Sequence, residues 1–310
     1  MAKSKTTHTV LLRRLIQTVF LAIFFYLFYQ LAYHPDNQTV GPTGLFFNLD
    51  PLIMLTVWFG GHAVASALLL SFITLISALI FGRWFCGWVC PFGALNNLFT
   101  SFRSGKRKDK LKEASYTPGQ KTKYYIVVAV LAGSLFGINM AGWLDPFSFL
   151  YRSFATAVFP AVNAMFQGIF DWFYNVNPIG MKAISEPVYR LMRGYFLTLA
   201  QPHYYWGMLF GLLFGIIIAM NFFRARFWCR YICPLGGLLG IVGKNPAIRL
   251  NVDAEKCKNC MECVVECQGG AEPQSNETWK ASECVYCWNC HSVCPTKAIT
   301  FEFKAPGVRS

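Results

Sequence analysis

Charge is what this sequence has least of. Only 14% of its 310 residues are Asp, Glu, Lys or Arg, against about 25% in soluble domains, and mean hydropathy is +0.37. A chain folded wholly in water is therefore excluded as the plain reading, and much of the length belongs in lipid. Acidic residues are the scarcer sign, 15 against 28 basic. The net charge of +13 would suit nucleic acid, but from residue 244 onward eight basic residues are matched by eight acidic ones. The excess lies at the N-terminus and in short loops beside apolar stretches, which marks the cytoplasmic side of a membrane protein and argues against a nucleic-acid surface.

Several motifs are missing too. No Gly-rich phosphate loop or dinucleotide fingerprint occurs, so nicotinamide oxidation by this chain alone is not expected. No Cys-x-x-Cys-His site for covalent haem occurs. No small-residue cleavage pattern follows the first apolar segment, so no cleaved signal peptide is expected. Nor is there room for a large soluble catalytic domain.

Apolar and aromatic residues dominate what remains, the aromatics alone making up 17%. Four stretches suffice to cross about 30 Å of hydrocarbon: 15–33, 62–81, 124–143 and 204–223. Basic residues place both termini and the loop 101–123 on the cytoplasmic side of an inner membrane. Two segments repeat. Asp50-Pro51, a span and Arg83-Trp84-Phe85-Cys86-Gly87-Trp88-Val89-Cys90-Pro91-Phe92-Gly93 are matched by Asp145-Pro146, a span and Arg226-Phe227-Trp228-Cys229-Arg230-Tyr231-Ile232-Cys233-Pro234-Leu235-Gly236. Each half would enter from outside at Asp-Pro and leave inside at Cys-x3-Cys-Pro, a parallel repeat. The second half carries about 48 extra residues, read as helices lying in the outer interface with Trp172, Tyr174 and Tyr195 at headgroup level. The expected fold is thus a membrane all-α unit, four transmembrane helices as a duplicated two-helix unit, followed by an α+β two-cluster bacterial ferredoxin-like domain. The expected boundaries are 1–14 (cytoplasmic N-terminus), 15–100 (first repeat), 101–123 (basic loop), 124–245 (second repeat, with its outer insertion at 147–203) and 246–310 (ferredoxin-like domain).

All twelve cysteines fall in motifs. Cys257-x2-Cys260-x2-Cys263-x3-Cys267 precedes Cys284-x2-Cys287-x2-Cys290-x3-Cys294-Pro295, the spacing of two-cluster bacterial ferredoxins. Three thiolates on one tight loop reach three corners of a cubane, and the fourth leaves for the other cluster. Cys257, Cys260, Cys263 and Cys294 are therefore expected to hold one [4Fe–4S] cluster, and Cys284, Cys287, Cys290 and Cys267 the other. Zinc, which takes two separated pairs of ligands, fits this run poorly. Gln268 stands where a proline often follows the fourth cysteine.

Cys86, Cys90, Cys229 and Cys233 leave several readings open. Spacing of four would put each pair on one helix face, and the four could hold a third cluster, a copper or other soft metal ion, or act as redox dithiols. The alternative is buried cysteine as a small apolar residue. His62 and His203, with Asp50 and Asp145, could flank a quinone or ligate a haem near the outer face. The alternative is interfacial histidines and Asp-Pro helix starts, with Asp as cap and Pro at the first helical position.

On these residues the chain resembles the NapH-type polytopic ferredoxin-like membrane proteins, the NapH/NosR/CcoG superfamily. The resemblance rests on the two Cys-Pro segments, the ferredoxin motifs behind them, Asp50-Pro51-Leu52 and Trp143-Leu144-Asp145-Pro146. It implies an iron–sulfur electron-transfer subunit linking the quinone pool or a cytoplasmic donor to a partner redox protein such as a cytochrome or reductase, as the electron-transfer or quinol-oxidising part of an oxidoreductase complex. The outer insertion departs from NapH, so a nitrate-reductase partner is not carried over, and neither a flavin domain like NosR's nor an immunoglobulin-like extension like CcoG's is expected. The competing readings are a cluster-dependent metal reductase or assembly factor for a respiratory oxidase or reductase, and a redox sensor.

Overall fold

The computed structural model describes residues 8–33, 44–62, 66–102, 106–176 and 205–304. The helices, in order, are α1 (His8–Tyr33), α2 (Leu45–Asn48), α3 (Pro51–Gly61), α4 (Ser71–Phe81), α5 (Trp84–Trp88), α6 (Pro91–Ser101), α7 (Arg107–Ala114), α8 (Thr122–Leu135), α9 (Ala141–Leu144), α10 (Pro146–Ser153), α11 (Phe159–Val176), α12 (Gly207–Met220), α13 (Phe227–Tyr231) and α14 (Pro234–Val242). Strand β1 (Ile248–Val252), short helices α15 (Glu262–Val265) and α16 (Asn289–Val293), and strand β2 (Ile299–Phe303) complete it. The chain forms two compact units, Met1–Phe149 with Ile217–Ser310, and Leu150–Ile216.

Two helices are long and apolar enough to cross a membrane, His8–Gln30 and Pro146–Trp172. The first contains the expected span 15–33 up to residue 30. The second, 27 residues long, falls where helices lying in the interface were expected. It passes through a π-turn at Phe154–Val158 into α11; in this unit Phe154 packs edge-on to Phe214, ring centroids 5.6 Å apart. Residues 177–204, with Tyr195 and His203, lie outside the described residues.

The other three expected spans are shorter in the structure. His62 ends α3 with a left-handed φ of 51°, its N–H bonded to Trp58 O, so it does not open a helix as expected. α3 and α4 form a hairpin instead: Ser71 Oγ donates to Met54 Sδ at 3.0 Å and Thr74 Oγ1 to Leu49 O at 2.8 Å. With 11 residues, α3 rises only about 16 Å, half a bilayer core. α8 ends at Leu135, short of residue 143, and α12 covers Gly207–Met220 of the span expected at 204–223. Hydropathy windows sum over these breaks. Lipid-facing character persists nonetheless: Phe72, Ile73, Ile76 and Leu79 on α4 and Tyr125 and Val128 on α8 are exposed, a surface soluble proteins rarely keep.

Four helices begin at an X-Pro step, because proline drives the preceding residue to extended backbone and suits the first helical position. The residue before each proline caps its helix. Asp50 Oδ1 accepts from Leu52 N (2.7 Å) and Ile53 N (3.3 Å), and Asp145 Oδ2 from Phe147 N and Ser148 N (both 2.9 Å). Cys90 Sγ accepts from Gly93 N (3.4 Å) and Cys233 Sγ from Gly236 N (3.2 Å). The tail is a small α+β module. β1 and β2 pair antiparallel, Ile248 opposite Phe303 and Val252 opposite Ile299, over a core of Leu250, Val252, Cys290 and Ile299.

Candidate metal centres

In the tail, one small cavity is lined by Cys257, Cys260, Cys263 and Cys294, and a second by Cys267, Cys284, Cys287 and Cys290. The local backbone explains how each loop turns its thiols inward. Asn259 and Met261 flank Cys260 with φ of 51° and 60°, and Tyr286 and Trp288 flank Cys287 with 50° and 61°. Such left-handed steps in bulky residues persist only where the surroundings impose them, and they form the amide nests that receive anionic groups. Ala271 N donates to Cys267 Sγ at 3.2 Å. Sequence spacing does not show this repeated backbone pattern.

Gln268 has a definite task. Its Nε2 donates to Asn97 Oδ1 at 2.6 Å and its Oε1 accepts from Arg13 Nη1 at 3.4 Å, while Arg13 Nη2 donates to Asn289 Oδ1 at 3.2 Å. A proline could do none of this, so the substitution ties the tail to α1 and α6.

The other quartet is buried: Cys86, Cys90, Cys229 and Cys233. Cys90 and Cys233 each lie within electrostatic range of Cys86 and Cys229. The expectation that each pair shares one helix face is corrected, since Cys86 sits in α5 and Cys229 in α13 while Cys90 and Cys233 are extended caps of the next helices. The proline breaks the helix between them. Gly93 fits because a Cβ there would overlap Cys86 O, and its bare N–H reaches the Cys90 sulfur.

Two arginines, at the same place in each repeated segment, were not picked out as site residues. Arg83 Nη2 donates to Cys229 O at 2.9 Å, and Arg226 Nη1 to Cys86 O at 2.8 Å. Each half thus supplies a guanidinium to the other half's cysteine. Both are buried, at 1% and 0% exposure, and Arg83 Nε and Arg226 Nε and Nη2 have no partner among protein atoms. Lys123, also buried, pairs with Glu283, which accepts a 2.8 Å bond from Tyr124 and faces Arg83. Arg13, Arg226, Arg83, Arg230 and Lys123 are buried against only three buried acids, Asp50, Asp145 and Glu283, among the described residues. Buried cations with unspent N–H groups are costly unless an anion neutralises them. A thiolate-bound iron–sulfur cluster is such an anion, and the donor chemistry of the quartet fits it.

The two thiol regions touch. A Cβ on Gly87 would overlap Val285 O, Trp88 Nε1 donates to Tyr286 O at 2.9 Å and Arg83 Nη1 to Ser282 O at 3.3 Å. The stretch after Cys86 therefore lies against the loop that carries Cys284 and Cys287.

The expected group of His62, His203, Asp50 and Asp145 is not assembled among the described residues. His62 is exposed at the far end of α3 from Asp50. Asp50 and Asp145 are fully buried, within hydrogen-bond reach of one another.

Comparison with known proteins agrees with this chemistry. A 4Fe-4S binding domain family matches residues 63–109 and 206–252, each containing a Cys-Pro pair, and a second 4Fe-4S binding domain family matches 277–300. The ferredoxin-type protein NapH of Escherichia coli is 27% identical over 266 residues, covering 81% of this chain and 73% of NapH. The putative electron transport protein YccM of the same organism is 23% identical over 79% of this chain and 57% of its own length. Protein NirI of Paracoccus denitrificans is 27% identical over 80% of this chain, which spans only 28% of NirI. No solved structure matches. The chain thus carries 4Fe-4S binding domains and is similar to the NapH-type ferredoxin-like electron-transport proteins.

Proposed function

We propose that this protein is a membrane-bound electron-transfer subunit with three cysteine quartets in series, exchanging electrons between the quinone pool or a cytoplasmic donor and a partner redox protein. Bound [4Fe–4S] clusters would supply one-electron transfer at each quartet. Cys257, Cys260, Cys263 and Cys294 would hold one; Cys267, Cys284, Cys287 and Cys290 a second; and Cys86, Cys90, Cys229 and Cys233 a third. The observation that carries the reading is the contact of Gly87 and Trp88 with Val285 and Tyr286, which sets two thiol-bearing loops directly against one another.

The rest of the chain serves this arrangement. Arg83, Arg226 and Lys123 would offset the negative charge of the membrane-side group. Cys260 is exposed and gives the series an end open to a soluble partner. The exchanged Arg83 and Arg226 contacts support a duplicated unit, and the basic loops support thiols on the cytoplasmic side.

Iron and acid-labile sulfide counting on the purified protein tests this. About twelve iron atoms per chain are expected for three four-iron clusters, falling by about four in a Cys86→Ser/Cys229→Ser variant. About eight in the wild type, unchanged in that variant, would refute the third site.

A further inference from the structure

The two Asp-Pro motifs meet. Asp50 and Asp145 spend one oxygen each on capping α3 and α10. The other oxygens, Asp50 Oδ2 and Asp145 Oδ1, are buried and receive no N–H or O–H from the protein; the carboxyls are within hydrogen-bond reach of each other. Capping does not require this, since Asn or Ser caps as well as Asp. Two carboxylates facing each other without a cation cannot both be ionised, whereas one proton between them satisfies both orphaned oxygens.

Among the described residues the surroundings supply no charged partner; the Ser148 hydroxyl, which reaches Asp145, is neutral. Of the ionisable residues on the elements that carry or flank the pair, His62 ends α3 at its far end and Arg83, past the end of α4, is engaged by Cys229 O and Glu283. Lys123, at the start of α8, is engaged by Glu283. Tyr151 and Arg152 follow Asp145 by six and seven residues. Around the pair lie aromatic rings: Phe147 packs on Phe46 (5.7 Å between centroids) and Phe85 (6.2 Å), and Phe149 stacks on Trp228 at 4.9 Å. Phe85 and Trp228 directly precede Cys86 and Cys229. Packed aromatic rings therefore connect residues next in sequence to the carboxyl pair with residues next to the membrane thiols, in a medium where charges interact strongly.

We propose that Asp50 and Asp145 form a proton-binding site, a carboxylic acid–carboxylate pair holding one proton, that takes up a second proton when an electron arrives at the Cys86/Cys90/Cys229/Cys233 site. The electron comes from the tail clusters, or from dithionite in the test. One proton drawn from water neutralises the remaining carboxylate, and oxidation returns it, so each electron moves with one proton. This coupling rests on the third-cluster reading; the shared proton does not.

Infrared spectroscopy of the full-length protein in detergent separates the two. The wild type is expected to show a buried carboxylic C=O band that shifts in D2O and is lost in Asp50→Asn and in Asp145→Asn. Dithionite-reduced minus oxidised spectra are expected to show gain of a second such band, also lost in both variants. Asp50→Ser and Asp145→Ser, which keep a capping hydroxyl, serve if the Asn variants lose iron. A wild-type band that survives in all variants, or no band at all, overturns the proton pair. A static band with no redox-induced change overturns only the coupling, and an iron count near eight per chain assigns that failure to the missing third cluster.

Discussion

Replacing Arg226 with Gln would remove a buried charge while keeping an N–H to donate to Cys86 O, and so isolates electrostatics from packing. Arg226 is wholly buried, and two of its nitrogens have no protein partner. Its guanidinium is bonded to the Cys86 carbonyl at 2.8 Å, which sets it near the membrane thiols. Taking a charge separation of roughly 7 Å and an effective dielectric of about 20, the lost attraction is about 2.4 kcal/mol per electron added. For a one-electron couple, where tenfold corresponds to about 59 mV, that is a fall of about 100 mV in midpoint potential. The tail clusters lie behind the Gly87–Val285 contact, and their potentials should fall by much less. A redox titration followed by electron paramagnetic resonance at low temperature resolves this. One signal moving down by about 100 mV with the other two nearly fixed is the expected result. Equal shifts of all signals, or none, would refute the assignment of Arg226 as counter-charge to a group at the Cys-Pro thiols.

Gly87→Ala should clash with Val285 O and cost about 1–3 kcal/mol, as overpacking does; expected are normal tail-cluster spectra with slowed electron exchange to the membrane site by freeze-quench, and unchanged exchange would count against the contact as the route. In the cluster-free chain, burial pushes Cys263 up to about 12 from an unfolded value of 9.0, with neighbouring cysteines adding to it and the Val264 N–H opposing it. Its folded pKa is raised, so its contribution to stability is complete below pH 9 and fades between pH 9 and 12. The urea midpoint of the apo protein should fall across that window, and the fall should be smaller in Cys263→Ala.

The tail was the most legible part of the sequence, because thiol spacing on a tight loop is a local property. The two quartets of thiols that line separate cavities can be written down from that spacing alone. The repeat of Arg83 and Arg226 was also visible, but not what it does: each guanidinium crosses to a cysteine more than a hundred residues away in the chain, and no local pattern encodes that. For Cys86 and Cys90 the period of four suggested one helix, yet Pro91 already forbade it by forcing Cys90 to extended backbone. The expected spans are longer than the helices found where a helix stops inside an apolar run, as at His62, since hydropathy records solubility in lipid and not the continuity of the backbone. Gln268 stood out as a departure, but its partners Asn97 and Arg13 come from other helices.

The crossed arginines also bear on assembly. Arg83 waits for the carbonyl of Cys229, and Cys86 for the guanidinium of Arg226, so neither half of the membrane unit can complete its own pocket. During synthesis the first Cys-Pro pair would remain without its counter-cation until the chain had grown past the second. If this site holds the proposed cluster, its loading is a late, whole-chain event, and a truncated product would not trap iron there in a half-built state.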